Sequence, residues 1–186
     1  MPIHIALLRS VNVKPRWVKM ERLREVMSDA GYGDVATHIQ SGNVRFTAPG
    51  TAGSAEQSLA DSVSSLLSAE FGFDIPVILR RPVELTELVE AYDALVVPDL
   101  GMTAADVRAY VVFLGREPTT DFATAITAWS LPGERARVVG RHVVCWYARP
   151  SHSASLPTHR IWRTAGVPVT SRDLKVARAL AGKWGA

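Results

Sequence analysis

Cysteine is nearly absent from this chain: Cys145 is the one thiol among 186 residues. A disulfide within the chain is thereby excluded. Cys145 lies in the strand-like run Val143-Val144-Cys145-Trp146-Tyr147, with nothing adjacent that would lower its pKa, so it reads as a buried, inert thiol and not as a nucleophile. Long hydrophobic runs are also missing. Stretches such as Ala94-Leu95-Val96-Val97 fall far short of the roughly 20 residues a membrane helix needs, so no membrane partner is expected. The opening Met1-Pro2-Ile3-His4-Ile5-Ala6-Leu7-Leu8-Arg9 lacks a basic leader and a small-residue cleavage site, and reads as a first strand of a cytoplasmic protein. His4, His38, His142, His152 and His159 show no His-x-His or His-x-x-x-His spacing, so no metal site is expected. Neither Gly-x-Ser-x-Gly nor Gly-x-x-x-x-Gly-Lys occurs, which removes the main sequence support for a serine hydrolase or a nucleoside triphosphatase. Ser151-His152-Ser153 offers a serine beside a histidine, but neighbours on one loop seldom attain triad geometry.

What is present describes an ordinary globular chain, 47% hydrophobic and 21% charged. The net charge of +3 hides an asymmetry: residues 1–93 carry nine Lys and Arg against twelve Asp and Glu, and residues 94–186 carry twelve against six. The basic excess follows Glu134, from Arg135 to Lys183, and an anionic partner is one reading of it; a solvated basic face is the other. Arginine outnumbers lysine seventeen to four, a bias that composition alone can produce.

The stretch with the most turn chemistry is Thr37-His38-Ile39-Gln40-Ser41-Gly42-Asn43-Val44-Arg45-Phe46. Val35, Thr37 and Ile39, then Val44 and Phe46, alternate with more polar neighbours, the period of strands with one buried face. Between them Gly42 accepts positive φ and Asn43 tolerates it, so the chain can reverse tightly. Gln40, Ser41 and Asn43 also place amide and hydroxyl groups beside a bend whose backbone N–H groups could hold an anion.

Taken in order, Ile3–Leu8 is a strand, and Met20, Leu23, Val26, Met27 and Ala30 form the stripe of a helix that Gly31 ends. The hairpin around Gly42 follows. A second helix carries Leu59, Val63, Leu66, Leu67 and Phe71, with Ser54 as its N-cap; Asp74–Leu79 is a strand, and Leu85, Leu88, Val89 and Tyr92 mark a third helix. This β-α-β-β-α-β-α order is the split βαβ arrangement. After 98–105 the pattern starts again: a strand over Arg108–Leu114, a helix marked by Phe122, Ile126 and Trp129, and a hairpin of Ala136–Val139 and His142–Tyr147 around Gly140-Arg141. A helical stretch over Leu156–Ala165 with Pro157 in its first turn, a strand over Val167–Thr170 and a closing helix from Leu174 to Trp184 complete it. The expected fold is α+β, with two ferredoxin-like halves, 1–97 and 106–186, joined by a linker at 98–105.

Leu7-Leu8-Arg9 with Asn12-Val13, Met20 and Leu23, Gly31-Tyr32, Ile39-Gln40-Ser41-Gly42-Asn43-Val44 with Phe46, and Phe71-Gly72-Phe73-Asp74-Ile75-Pro76-Val77 together resemble the bacterial family known as domain of unknown function 1697. The resemblance implies an α+β architecture of two similar ferredoxin-like parts and no established activity. Two departures stand out. The family usually has Arg-Gly-Ile-Asn-Val-Gly-Gly after the first strand, where this chain reads Arg9-Ser10-Val11-Asn12-Val13-Lys14-Pro15, which puts close backbone approach of a ligand there in doubt. Near the end the family tends toward Thr-x-Arg-Asn-Trp-x-Thr-Val-x-Lys-Leu, of which only Thr170, Arg172 and Leu180 remain.

The candidate site is therefore Arg9, Asn12, Gln40, Ser41, Gly42, Asn43 and Arg172, polar groups at strand ends and turns with two guanidinium groups suited to a carboxylate or phosphate. The set has no general base poised near neutrality and no activated nucleophile, so it favours binding a small anionic or polar ligand over catalysis; no cofactor is indicated. One alternative is a nucleic-acid-binding module, with Phe46, Trp146 and Tyr147 as strand aromatics and the basic second half as its surface. Another is an enzyme using Ser41, His38 or Asp173 for proton transfer. Five tryptophans, Trp17, Trp129, Trp146, Trp162 and Trp184, also admit a protein-interaction surface, though core packing accounts for such residues more often.

Overall fold

Strand alternation and helix stripes sort this sequence into two layers, helices on sheet, and do so twice. The structure, a computed structural model, describes residues 1–48, 56–148 and 153–185; the expected N-cap Ser54 and the Ser151-His152 pair lie outside them. In chain order the elements are β1 (Ile3–Leu8), α1 (Met20–Asp29), β2 (Gly33–His38), β3 (Asn43–Thr47), α2 (Glu56–Phe71), β4 (Val77–Arg80) and α3 (Pro82–Asp93). There follow β5 (Arg108–Leu114), α4 (Thr120–Thr127), β6 (Glu134–Val139), β7 (His142–Tyr147), two short 3-10 turns (Leu156–Thr158 and Arg160–Ala165), β8 (Val169–Asp173) and α5 (Leu174–Trp184). The contacts divide the chain into two units, Met1–Leu85 with Gly182–Ala186, and Thr86–Ala181.

Each unit holds a four-stranded antiparallel sheet, in the orders β2-β3-β1-β4 and β6-β7-β5-β8. Both orders are ferredoxin-like, and the fold is α+β. In the first unit Ala6 and Leu8, Val44 and Phe46, and Val77 and Leu79 point to one side, where Leu23, Val26 and Met27 of α1 and Ala60, Val63 and Leu67 of α2 meet them. In the second, Val112, Leu114, Val143, Cys145 and Tyr147 meet Phe122 and Ile126 of α4 together with Leu156 and Ala165 of the 3-10 turns. The period of two on the strands and of three to four on the helices is what makes these sets coincide.

The two units repeat the same fastenings at the same sites. Leu8 N donates to Gly42 O at 2.8 Å, as Leu114 N does to Arg141 O at 3.1 Å. Arg9 N donates to Pro76 O at 3.0 Å, as Gly115 N does to Pro168 O at 2.9 Å. Arg80 stands opposite Ile5, and Arg172 opposite Val111. The repetition that the sequence shows only as a pattern is a residue-for-residue correspondence of the two ladders on β1 with the two on β5, whereas β2–β3 carries a register shift between Gly33 and Ala36 that β6–β7 lacks.

Helix ends follow local chemistry. Gly31, at φ 89°, carries a Schellman ending: Gly31 N donates to Ser28 O at 2.9 Å and Tyr32 N to Met27 O at 3.1 Å. At the start of α3, Pro82 occupies the first turn and the Glu84 carboxylate reaches back to Arg81 N at 2.7 Å.

Several boundaries differ from the sequence expectation. The strand expected from Asp74 begins at Val77, because Pro76 has no N–H to give and its carbonyl is taken by Arg9. The segment 156–165 is not one helix. His159, extended at ψ 142°, splits it, and buried Glu134 takes the N–H groups of Ser155 at 2.7 Å and Leu156 at 3.0 Å. Trp129 lies beyond the end of α4 because its indole N–H donates to the same carboxylate at 3.2 Å. The last strand is shifted to Val169–Asp173 from the expected 167–170.

Glu134 thus satisfies the indole N–H of nearby Trp129 and two N–H groups of the distant Ser155-Leu156 segment while wholly buried. Glu134→Ala is expected to cost about 3 kcal/mol, since those donors lose their acceptor out of reach of water. In urea unfolding the midpoint should fall at unchanged slope; an unaltered midpoint would contradict this role.

Candidate functional site

The loop after β1 and the turn before β3 are tied by one side chain. Asn12, in the left-handed region at φ 56°, offers its Oδ1 to Val18 N at 2.9 Å and donates through Nδ2 to the carbonyl of Gln40. Its backbone N donates to Arg16 O at 2.7 Å, and Arg16 N donates to Val13 O at 2.7 Å, closing a tight turn over Val13-Lys14-Pro15-Arg16. Asparagine suits the position because its short amide can bond locally and it tolerates positive φ.

The Gln40–Asn43 turn is divided between inside and outside. Asn43 is fully buried, and its Nδ2 donates to His38 O at 3.1 Å and to Ser41 Oγ at 2.9 Å. Gly42 is buried at φ 74°; a Cβ there would come within 2.6 Å of Val11 Cγ2 and 2.8 Å of Leu8 Cβ. Gln40 is exposed and Ser41 half-buried. Ile39, at φ 50°, turns outward.

Arg9 is exposed and lines a recess of about 410 Å³ with Ser10, Val13, Lys14, Arg16, Asp74 and Pro76. Three cations face one carboxylate there, and none of the four makes an ion pair among the described residues. The Arg16 guanidinium lies 5.6 Å from the centre of the Phe73 ring, which steadies it without neutralising it.

The structure therefore joins Asn12 to Gln40 and Ser41 to Asn43, and sets Arg9 on the loop that Asn12 holds. Arg172 belongs to the other unit. It is buried and donates to Thr170 Oγ1 at 2.9 Å and to Ser171 O at 2.8 Å, and desolvation pushes its pKa down to about 10. Lys14, Arg16 and Asp74 are recess residues that the sequence reading passed over. The available signal was the clustering of Arg9, Lys14 and Arg16 about Pro15, in the segment where Lys14 and Pro15 replace two glycines.

Other candidates have structural employment. The Ser41 hydroxyl accepts from Asn43, His38 sets its ring 6.1 Å from Trp184, and Asp173 Oδ1 caps α5 by accepting from Lys175 N at 2.8 Å. Burial pushes the Cys145 thiol up to about 12. Among the described residues no cluster of His, Cys, Asp and Glu could hold a metal ion, and no helix is long and apolar enough to cross a membrane.

A family model described as protein of unknown function (DUF1697) matches residues 1–144. The chain belongs to this family. The DUF1697 match spans the loop after β1, the Gln40–Asn43 turn and Asp74, whereas Arg172 and the altered 170–180 stretch lie beyond it. Among solved structures, the conserved bacterial protein SP0830 from Streptococcus pneumoniae is similar, with a TM-score of 0.70 at 20% identity over 100% of this chain and 99% of that one; at that identity the likeness is one of fold. No curated protein matches.

The turn's glycine can be tested against the one in the second hairpin. Gly42→Ala should cost about 3 kcal/mol, combining left-handed strain with collision against Val11 and Leu8. Gly140→Ala, at φ 53° with nothing within 4 Å of the added Cβ, should cost only about 1 kcal/mol. Equal losses in denaturant unfolding would mean that Gly42 is not held by close packing.

Proposed function

We propose that this protein binds a small phosphate- or carboxylate-bearing molecule in the recess formed by Arg9, Ser10, Lys14, Arg16 and Asp74. The observation that carries it is three cationic side chains on one polar concavity, opposed by a single carboxylate and unpaired among the described residues. Two guanidinium groups can each give a pair of parallel N–H donors to an oxyanion, and the ammonium adds a third point of charge. The Gln40–Asn43 turn serves this site from behind: Asn43 and Gly42 hold the bend in shape, and the Gln40 carbonyl anchors Asn12 and so the loop. Arg172, which belongs to the other unit, has no part in this reading.

The nucleic-acid alternative loses its strand aromatics, because Phe46, Trp146 and Tyr147 are at most 3% exposed and cannot stack on bases. Catalysis has no specific observation in its favour. A cytoplasmic setting belongs to the proposal, in keeping with a lone thiol that is buried and unpaired.

Calorimetric titration of the full chain with inorganic phosphate tests this directly. Arg9→Ala and Arg16→Ala should each weaken binding roughly 10- to 100-fold, the worth of a charge-assisted hydrogen bond. Affinity should also fall as salt rises. Absence of binding at millimolar phosphate, or variants that bind as well as the parent, would overturn the proposal.

A further inference from the structure

An inorganic anion leaves part of the recess's surroundings without use. Three of the eight large hydrophobic side chains most exposed in the described structure stand on the two segments that Asn12 joins: Val13 at 55%, Trp17 at 60% and Ile39 at 50%. Val13 itself lines the recess. Trp17 lies between Arg16, another lining residue, and Val18, whose side chain is buried and whose N–H is held by Asn12. Arg16 is tied through both its N–H and its carbonyl. The indole is thus an exposed aromatic on a backbone held at both sides, next in the chain to a cation that lines the recess. Rigid aromatic surface left in water on a pinned loop is the property of a stacking platform. The corresponding segment of the other unit has no exposed large hydrophobic among the described residues: after β5 ends at Leu114 the chain passes through Gly115, Arg116 and Glu117 to α4, and Arg116 Nη2 donates to Gly166 O at 3.1 Å.

Resting on the anion site argued above, we propose that the ligand is a nucleoside monophosphate. Its phosphate is held by Arg9, Lys14 and Arg16. Its ribose hydroxyls donate to the Asp74 carboxylate of the same recess, which gives that lone acid a purpose among the cations. Its base lies outside the recess against the Trp17 indole and the Val13 side chain. The volume of about 410 Å³ falls within the range usual for small-molecule sites, roughly 300–1,000 Å³, and seats a sugar phosphate with the base at the mouth.

The test is calorimetry of the full chain with three probes: inorganic phosphate, ribose 5-phosphate and adenosine 5′-monophosphate. In the parent protein the nucleotide should bind roughly 5- to 150-fold tighter than ribose 5-phosphate, the range expected for stacking one base on an aromatic side chain. That ratio should fall to about 1 in Trp17→Ala and return in large part in Trp17→Phe, which restores a ring. Trp17 is exposed, so both variants are expected to fold, and a thermal melt verifies it. A ratio near 1 in the parent, or one unchanged in Trp17→Ala, overturns the nucleotide proposal; if phosphate still binds and Arg9→Ala still weakens it, the anion site stands without its stacking partner. Failure of all three probes to bind overturns both.

Discussion

The amide of Asn12 is the contact on which the rest of the first unit's surface depends. It joins the carbonyl before the Ser41-Gly42 bend to the N–H of Val18, and the residue's own backbone N–H adds a bond to Arg16 O. Without it, the ten-odd residues between β1 and α1 would have few fixed points, because most of them are exposed. With it, Lys14 and Arg16 are carried on a closed turn beside Arg9. Fixing a loop in advance lowers the ordering cost that a ligand must otherwise meet, so under the proposed function the polar clamp behind the cationic recess serves binding as well as folding.

The two units show how one ladder can carry different surfaces. Matching hydrogen bonds fasten Leu8 and Leu114 to the hairpin turns, and Pro76 and Pro168 to the ends of β1 and β5. A buried arginine stands on the fourth strand of each. What differs is what has been inserted between the fastenings. The first unit spends its variation on the loop from Arg9 to Lys19, which carries charge and an exposed indole. The second spends it on the segment after β7, where Glu134 gathers Trp129, Ser155 and Leu156 into an internal network. A carboxylate whose acceptors are all engaged stiffens a core and leaves little for chemistry.

Much of the fold was legible because apolar spacing is a local property. Val44 and Phe46, or Leu23, Val26 and Met27, declare their element without reference to anything distant. Where the outcome depended on partners far along the chain, the sequence was silent. Nothing near Leu156 announces that Glu134 will take its N–H and leave two 3-10 turns in place of a helix. The candidate site was half legible for a related reason. Asn12 and Gln40 stood out as polar turn residues, and the structure joins them. Asn43 looked equally available, yet it is sealed, since both faces of β3 are buried and alternation identifies only the greasier one. Lys14, Arg16 and Asp74 come to line one recess only after Pro76 has been fastened to Arg9, a contact no spacing rule contains.

Backbone amide shifts recorded while phosphate is added to the full-length chain test the central claim most directly, since they report the place of binding without presuming it. The account predicts saturable shifts gathered on the non-proline residues of 9–18 and on Asp74 and Ile75, with the Asn12 side-chain amide among them. Shifts confined to the basic segment after Glu134, or none at any concentration, would contradict it.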